Sequence, residues 1–210
     1  MIILIASRET LWNMLGILQK QRKARSEIVI PWLFAPHTVE PYYKIREGIM
    51  RVPTIYLETT IFNFPFADDA PNYQADTLRL FTEIKTGKFR PFTSEYVPRE
   101  LEVTKDAEKL AKMKALISDY GITVIPANPE IEQLANIYVS AGIIPAKYAT
   151  DALHIAAATI AGLDYIVSLN FRHIVKHKTI FETEVINTRE GFKRVFIHTP
   201  AEVIDYDENN

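Results

Sequence analysis

The chain is organised around the stretch ATDALHIAAA, residues 149–158. Its small and aliphatic side chains predict a buried helix, and its one carboxylate, Asp151, lies near the predicted start of that helix. Asp151 is also the only acidic residue between Glu132 and Asp164. Because the burial of an unpaired charge is costly, this carboxylate must be paired, exposed in a cleft or bound to a metal.

Strands and helices alternate on both sides of this stretch. The β-prone runs are residues 54–57, 89–93, 122–125, 164–168 and 194–198, and the helical segments are 73–86, 95–103, 106–120, 129–141 and 146–161. Four of these helical segments are followed directly by a glycine, as expected for the left-handed position just past a helix: Gly87, Gly121, Gly142 and Gly162. The alternation predicts an α/β fold of three layers, with helices on both faces of a central, mainly parallel sheet.

The two ends of the chain differ from this regular part. Residues 1–49 are richer in Lys and Arg than in Asp and Glu, and they contain a helical pattern followed by three prolines, which predicts an N-terminal extension or linker. Residues 50–210 are expected to form the folded domain. Met50 stands just before the first strand, so an alternative is that translation starts there and residues 1–49 are not part of the native product. Near the other end, Asn187 and Thr199 each begin a capping-box spacing, which predicts a helix start at both.

The composition is that of a globular protein. Of the 210 residues, 48% are hydrophobic and 24% are charged, and the formal net charge of -2 provides no general attraction for nucleic acid. No apolar run approaches the roughly 18 residues of a membrane span. The absence of cysteine excludes disulfides and thiolate metal sites. We therefore expect a cytoplasmic protein that does not contact a membrane.

Three acidic residues occupy positions that the predicted fold brings together. Glu58 ends the first strand, Glu100 lies early in a helix, and Asp151 lies near the start of the central helix. Helix starts favour negative charge, which offsets the repulsion among clustered carboxylates. Asn170 follows the fourth strand, and the carboxyl ends of parallel strands meet at one edge of a sheet. Because Mg²⁺ and Mn²⁺ prefer oxygen ligands, this pattern predicts a metal centre.

Other polar side chains flank the acids. Three hydroxyls are expected to orient the acids or to contact a substrate: Thr59, Thr60 and Ser168. His154 lies one helical turn beyond Asp151, where a hydrogen bond to a group beside the metal and simple core packing are both open. The same alternatives hold for His173. For Arg99 and Lys147, contact with a phosphate and a solvated surface position are both open.

Four short motifs occur along the chain in this order: TIYLETT at 54–60, SEYVPREL at 94–101, DALHIA at 151–156 and IVSLNF at 166–171. In order and spacing they resemble the motifs of PIN-domain nucleases, and in particular the VapC-type toxins of type II toxin–antitoxin systems. The resemblance covers about residues 53–205 and leaves 1–49 unexplained. Position by position, three acids match the acidic metal positions of that family and one amide matches a fourth position: Glu58, Glu100, Asp151 and Asn170.

The resemblance implies a PIN-like fold and a metal-dependent single-strand endoribonuclease, which hydrolyses phosphodiester bonds with a metal-activated water. The implied cofactor is Mg²⁺ or Mn²⁺, held by Glu58, Glu100 and Asp151, with Asn170 as a fourth catalytic residue. The implied partners are an RNA substrate, a cognate antitoxin protein that holds the toxin inactive, and a second copy of the chain in a homodimer.

Two departures from the family pattern leave an alternative open. The first acidic position is usually Asp, and Glu58 is one methylene longer. The fourth position is often Asp, and Asn170 supplies no charge, so a second metal would bind weakly. The alternative is a catalytically weakened PIN-like module that binds RNA or an antitoxin. A nucleotide-binding or dehydrogenase-like protein is disfavoured, because the sequence contains no glycine-rich phosphate loop.

Overall fold

The computed structural model describes residues 51–205, and the predictions for residues 1–49 and for a start at Met50 lie outside the described residues. Within this range one sheet is formed by β1 (Thr54–Leu57), β2 (Arg90–Ser94), β3 (Thr123–Ile125), β4 (Tyr165–Val167) and β5 (Phe196–His198). The strand order is β3-β2-β1-β4-β5, and every neighbouring pair is parallel. The predicted α/β fold with a parallel central sheet is therefore confirmed.

The helices of the described residues are α1 (Thr59–Asn63), α2 (Pro71–Lys85), α3 (Tyr96–Leu101), α4 (Ala107–Asp119), α5 (Pro129–Ser140), α6 (Ala149–Ile160), α7 (His177–Arg189) and α8 (Pro200–Val203). Short 3₁₀ turns follow α1 at Phe64–Phe66 and precede α6 at Ala146–Tyr148. None of these helices is long and apolar enough to cross a membrane.

Two hydrophobic cores lie on opposite faces of the sheet. In the fully buried central strand β1, alternate side chains point to opposite faces. Ile55 and Leu57 join one core, together with side chains of α1, α2 and α4. Tyr56 joins the other core, together with side chains of α5, α6 and α7. The molecule therefore has the three layers that the alternation of strands and helices predicted.

Helix α6 is the predicted central helix, and four of its five alanines are buried, against the sheet and α5. It ends in a turn at Gly162, which has a φ of 62°. The amide of Leu163 donates to the carbonyl of Ala158 at 3.1 Å, and the amide of Gly162 donates to that of Thr159 at 3.0 Å. This is the hydrogen-bond pattern of a glycine-terminated helix, and it directs the chain into β4.

Asp164 joins β1 and β4 at the amino end of the sheet. Its Oδ2 accepts hydrogen bonds from the backbone N–H and the hydroxyl of Thr54, both at 2.8 Å, and its Oδ1 pairs with Arg51 and Lys193, both at 2.5 Å. Burial alone would raise the pKa of Asp164, but the hydrogen bonds from Lys193 and Thr54 outweigh it and hold that pKa well below its ordinary value. The carboxylate therefore stabilises the fold at neutral pH.

The two predicted helix starts near the C-terminus have different outcomes. The capping box at Thr199 is present, with Glu202 accepting from the backbone N–H of Thr199. The predicted start at Asn187 is wrong, because Asn187 lies inside α7 and is buried. Its side chain is used within the core instead: its Oδ1 accepts a hydrogen bond from the hydroxyl of Tyr138 at 2.5 Å.

Candidate metal centre

A pocket of about 370 Å³ lies where β1 and β4 end. The four residues that the sequence analysis named for a metal centre all line it: Glu58, Glu100, Asp151 and Asn170. Thr59 and Thr60 line it as well. Ser168 and His154 are fully buried and reach the pocket through the acids to which they hydrogen-bond.

Glu58 is held by hydroxyl groups on both sides of the pocket. It directly follows β1 and caps α1, and its Oε2 accepts hydrogen bonds from the hydroxyl of Thr60 at 2.6 Å and from its backbone N–H at 3.2 Å. The hydroxyl of Ser168 donates to the same oxygen at 2.7 Å. Thr60 also accepts from the backbone N–H of Leu169 at 2.8 Å, so the segments after β1 and β4 are tied together at this carboxylate.

Glu100 is held by Thr59 and His154. Its Oε2 accepts a short hydrogen bond from the hydroxyl of Thr59 and lies 2.8 Å from Nε2 of His154. Burial raises the pKa of Glu100, but its hydrogen bonds with His154 and Thr59 outweigh burial and lower it. Glu100 lies near the end of α3, so the expectation that a helix start would favour its charge is wrong. Its hydrogen-bond donors provide that stabilisation instead.

A buried chain of hydrogen bonds continues behind Glu100. Nδ1 of His154 lies 2.7 Å from the hydroxyl of Tyr56, which lies 2.7 Å from the hydroxyl of Ser94. All three side chains have 0% exposure. Burial lowers the pKa of His154, but the hydrogen bond to Glu100 and the nearby negative charges outweigh it and raise that pKa. The ring is therefore both a packed core histidine and a direct contact of Glu100.

Asp151 lies in the first turn of α6, as predicted, and is paired with Asn170. Its Oδ1 accepts a hydrogen bond from Nδ2 of Asn170 at 3.0 Å, and the Asn170 Oδ1 accepts one from the backbone N–H of His173 at 3.1 Å. Burial, followed by the negative charge of Glu58, raises the pKa of Asp151 to about 6. This shift is typical of carboxylates that share a confined site.

Each of the three carboxylates uses one oxygen for the hydrogen bonds described above. The second oxygen accepts no hydrogen bond from any described residue: Oε1 of Glu58, Oε1 of Glu100 and Oδ2 of Asp151. None of these three atoms is among the buried polar atoms without a partner in this part of the chain. Each is therefore oriented by the protein through one oxygen and is available to a ligand through the other.

The spacing of Glu58, Glu100 and His154 fits a divalent cation. Glu58, Glu100 and His154 offer ligand atoms that all lie within 4.8 Å of one another, and Asp151 lines the same pocket outside that triplet. Carboxylate oxygens suit Mg²⁺ and Mn²⁺. Both ring nitrogens of His154 already have hydrogen-bonding partners, so coordination through Nε2 would require the loss of its contact with Glu100.

The sequence patterns did not indicate two residues of this site, Tyr56 and Ser94. The available signal was a tyrosine between two aliphatic residues of the central strand, since a buried phenol usually finds a hydrogen-bond partner. Of the basic residues left open, Arg99 is exposed and pairs with Glu95 at 3.0 Å, and neither residue lines the pocket. Lys147 lies beside Tyr148, at the start of α6.

No protein-family model and no curated protein matches the chain. Among solved structures, it is similar to a chain in the crystal structure of VapBC2 from Rickettsia felis bound to a DNA fragment from their promoter. The similarity covers 70% of this chain and 98% of that chain, with 14% sequence identity and a TM-score of 0.43. A likeness of this size assigns neither a family nor a function.

Proposed function

We propose that the protein is a metal-dependent endoribonuclease that hydrolyses phosphodiester bonds of single-stranded RNA. One observation carries this proposal: three carboxylates from three separate elements line one pocket, and each presents an oxygen that accepts no hydrogen bond from the described residues. Such oxygens are the preferred ligands of Mg²⁺ and Mn²⁺. In this proposal Glu58, Glu100 and Asp151 hold the ion.

The protein's own side chains position these ligands. When bound, a divalent cation would polarise a phosphoryl oxygen and lower the pKa of a water molecule. Thr60 and Ser168 hold Glu58, whereas Thr59 holds Glu100. His154 acts on Glu100 from behind, as groups next to metal ligands commonly do, and it keeps that carboxylate ionised. Asn170 holds Asp151.

The substrate and the partner in this proposal are those that the resemblance of the four sequence motifs to PIN-domain nucleases implies. That resemblance is the support for RNA as substrate, for an antitoxin protein as partner, and for a homodimer as the assembly. The lack of cysteine supports a cytoplasmic location. Light scattering gives the mass of the purified chain and tests the homodimer. The same measurement after co-expression with a neighbouring small gene tests the antitoxin.

Cleavage of single-stranded RNA by the full chain tests the proposal. Activity is expected with Mn²⁺ or Mg²⁺, and Asp151→Asn is expected to reduce it by roughly a hundredfold or more, as loss of a metal ligand or its close partners does. Asp119→Asn is the matched control, because Asp119 is exposed at the end of α4 and its carboxylate accepts only one hydrogen bond from residues 51–205, that of the Ser118 hydroxyl. Cleavage that survives Asp151→Asn unchanged contradicts the proposal.

One observation favours a second candidate, a PIN-like module that binds RNA or an antitoxin without turnover. The carbonyl oxygen of Asn170 is occupied by the N–H of His173, so the fourth position offers neither a charge nor a free oxygen. Calorimetry with Mn²⁺ separates the two candidates. An absence of metal binding, together with RNA affinity that is unchanged in EDTA, favours the binding module.

A further inference from the structure

A group of basic and aromatic side chains lies between the start of α6 and the segment after β4. The ring of Tyr148 is at its centre, and the ring of His173 lies 4.0 Å from it, centroid to centroid, at an angle of 31°. Nζ of Lys147 lies 4.8 Å from the Tyr148 centroid, and Cζ of Arg172 lies 5.4 Å from it. Both distances allow cation–π attraction. We call these four residues the basic–aromatic cluster.

The cluster adjoins the carboxylate pocket through Asn170. Tyr148 immediately precedes α6, three residues before Asp151, and Arg172 and His173 follow Asn170 in the sequence. The side chain of Asn170 contacts both sites, because its Nδ2 donates to Asp151 and its Oδ1 accepts from His173. A strand that enters the pocket and leaves it on the Asn170 side would therefore bring its neighbouring phosphates towards the cluster.

The cations of the cluster are not neutralised. Lys147 and Arg172 are exposed, and neither makes an ion pair with any residue in 51–205. Burial lowers the pKa of His173, and so do the charges that act on it, all of which are positive: Arg172, Lys176 and Lys147. The cluster is therefore a site of positive potential beside three carboxylates.

We propose that Lys147 and Arg172 together bind a backbone phosphate of a nucleic-acid strand, next to the phosphodiester held in the pocket. This inference rests on the proposed nuclease function, which supplies the strand. Guanidinium and ammonium groups both bind phosphate oxygens through charge-assisted hydrogen bonds. The Tyr148 ring restricts the two long side chains before the strand arrives, which reduces the ordering that binding requires.

The positive charge of the cluster matters for binding because the protein as a whole is slightly negative. With a net charge of -2 and three carboxylates in the pocket, the protein has no general attraction for a polyanion. Affinity for a single strand depends largely on the number of phosphates that basic side chains neutralise. Two unpaired cations at the rim are therefore expected to supply a measurable part of the binding free energy.

The test is equilibrium binding of a short, fluorescent single-stranded RNA of mixed sequence to the full chain, in EDTA so that nothing is cleaved. Fluorescence anisotropy over a range of KCl concentrations gives the affinity and its salt dependence. For Lys147→Ala/Arg172→Ala, affinity is expected to fall roughly tenfold near 0.15 M salt, and the slope of log affinity against log salt is expected to decrease by about 1.4, or about 0.7 for each lost contact.

A matched control removes the same two charges at a distance from the pocket. Lys85 is exposed in the last turn of α2, and Arg90 is exposed at the start of β2, with its guanidinium 5.4 Å from the ring centroid of Phe92. Lys85→Ala/Arg90→Ala is expected to keep the wild-type affinity and slope. Equal losses in the two double variants overturn the inference, because net charge alone then explains them.

These experiments distinguish a failure of the cluster proposal from a failure of the nuclease proposal. Full RNA affinity in Lys147→Ala/Arg172→Ala overturns the inference about the cluster, and it would leave a protein partner as the alternative ligand of this surface. Cleavage that survives Asp151→Asn overturns the nuclease proposal instead. The binding measurement is unaffected by that second result, since EDTA removes any need for cleavage.

Discussion

The hydroxyl of Tyr56 is expected to stabilise both the fold and the proposed metal site. Tyr56→Phe removes the group that lies 2.7 Å from Nδ1 of His154 and 2.7 Å from the hydroxyl of Ser94. Both partners have 0% exposure, so neither can turn to solvent. Each polar group left unpaired in the core costs roughly 1–2 kcal/mol, so we expect the free energy of unfolding to fall by about 3 kcal/mol in urea denaturation.

Tyr96→Phe is the matched control for this prediction. The hydroxyl of Tyr96 is also buried, but it has no hydrogen-bonding partner in the described residues. Its removal is expected to leave the free energy of unfolding unchanged or to raise it by up to about 1 kcal/mol. If the Tyr56 and Tyr96 variants change stability by the same amount, the reasoning about the buried chain is refuted.

The same variant tests whether the chain acts on Glu100. Without the Tyr56 hydroxyl, His154 is no longer fixed at Nδ1 and holds the Glu100 carboxylate less well. Affinity for Mn²⁺, measured by calorimetry on the folded variant, is expected to fall roughly tenfold, as for other groups that orient metal ligands. A loss of stability with unchanged Mn²⁺ affinity would mean that the chain stabilises the fold but does not position Glu100.

Two further predictions concern the scaffold. Asp164→Asn is expected to lower the free energy of unfolding by about 2 kcal/mol at pH 7, because the carboxylate accepts charge-assisted hydrogen bonds. Since the fold lowers the pKa of Asp164, this stabilisation is present above the unfolded-state pKa near 4 and is lost as the pH falls below it. In urea titrations, a difference in unfolding free energy between wild type and variant that stays constant on acidification contradicts this. Gly162→Ala is expected to lower the free energy of unfolding by about 1 kcal/mol in the same assay. The φ of Gly162 is 62° and a Cβ there would meet no neighbouring atom within 4 Å, so the cost comes from the backbone conformation. An unchanged urea midpoint contradicts that cause.

The sheet and the positions of the acids could be predicted from local signals. Strands separated by helices specify a parallel sheet, and glycines just past helices mark where each helix ends. Glu58 and Asn170 follow predicted strands, and parallel strands end at one edge of a sheet. This rule was sufficient to predict that the two side chains lie close together. The positions of these two side chains therefore follow from the order of elements rather than from details of packing.

The buried hydrogen-bond chain could not be predicted in this way. Tyr56, Ser94 and His154 lie on three different elements, and their contacts depend on the register of the sheet. In that register Tyr56 is opposite Phe92 on one side and opposite Ile166 on the other. A shift by one residue would point Tyr56 to the opposite face of the sheet, and the sequence contains no local signal that fixes the pairing.

Helix α7 was not predicted, because three of its four buried residues are polar and only Ile186 is apolar. Thr179, Thr183 and Asn187 repeat every four residues, and all three are buried. The hydroxyl of Thr183 donates to the carbonyl of Thr179 at 2.7 Å, which satisfies it within the helix. Phe181 and Val185 are exposed instead, at 61% and 52%. A search for a buried apolar stripe therefore fails on this helix.

The amide of Asn170 keeps a fourth carboxylate out of the pocket. Its amide nitrogen faces Asp151 while its oxygen serves the backbone of His173, so the side chain is a donor on one side and an acceptor on the other. A change to Asp would keep the second contact but set two carboxylates against each other in the first. At this position an acid would therefore repel Asp151 unless a bound cation or a shared proton offsets the two charges. The amide of Asn170 avoids that repulsion whether or not a cation is bound.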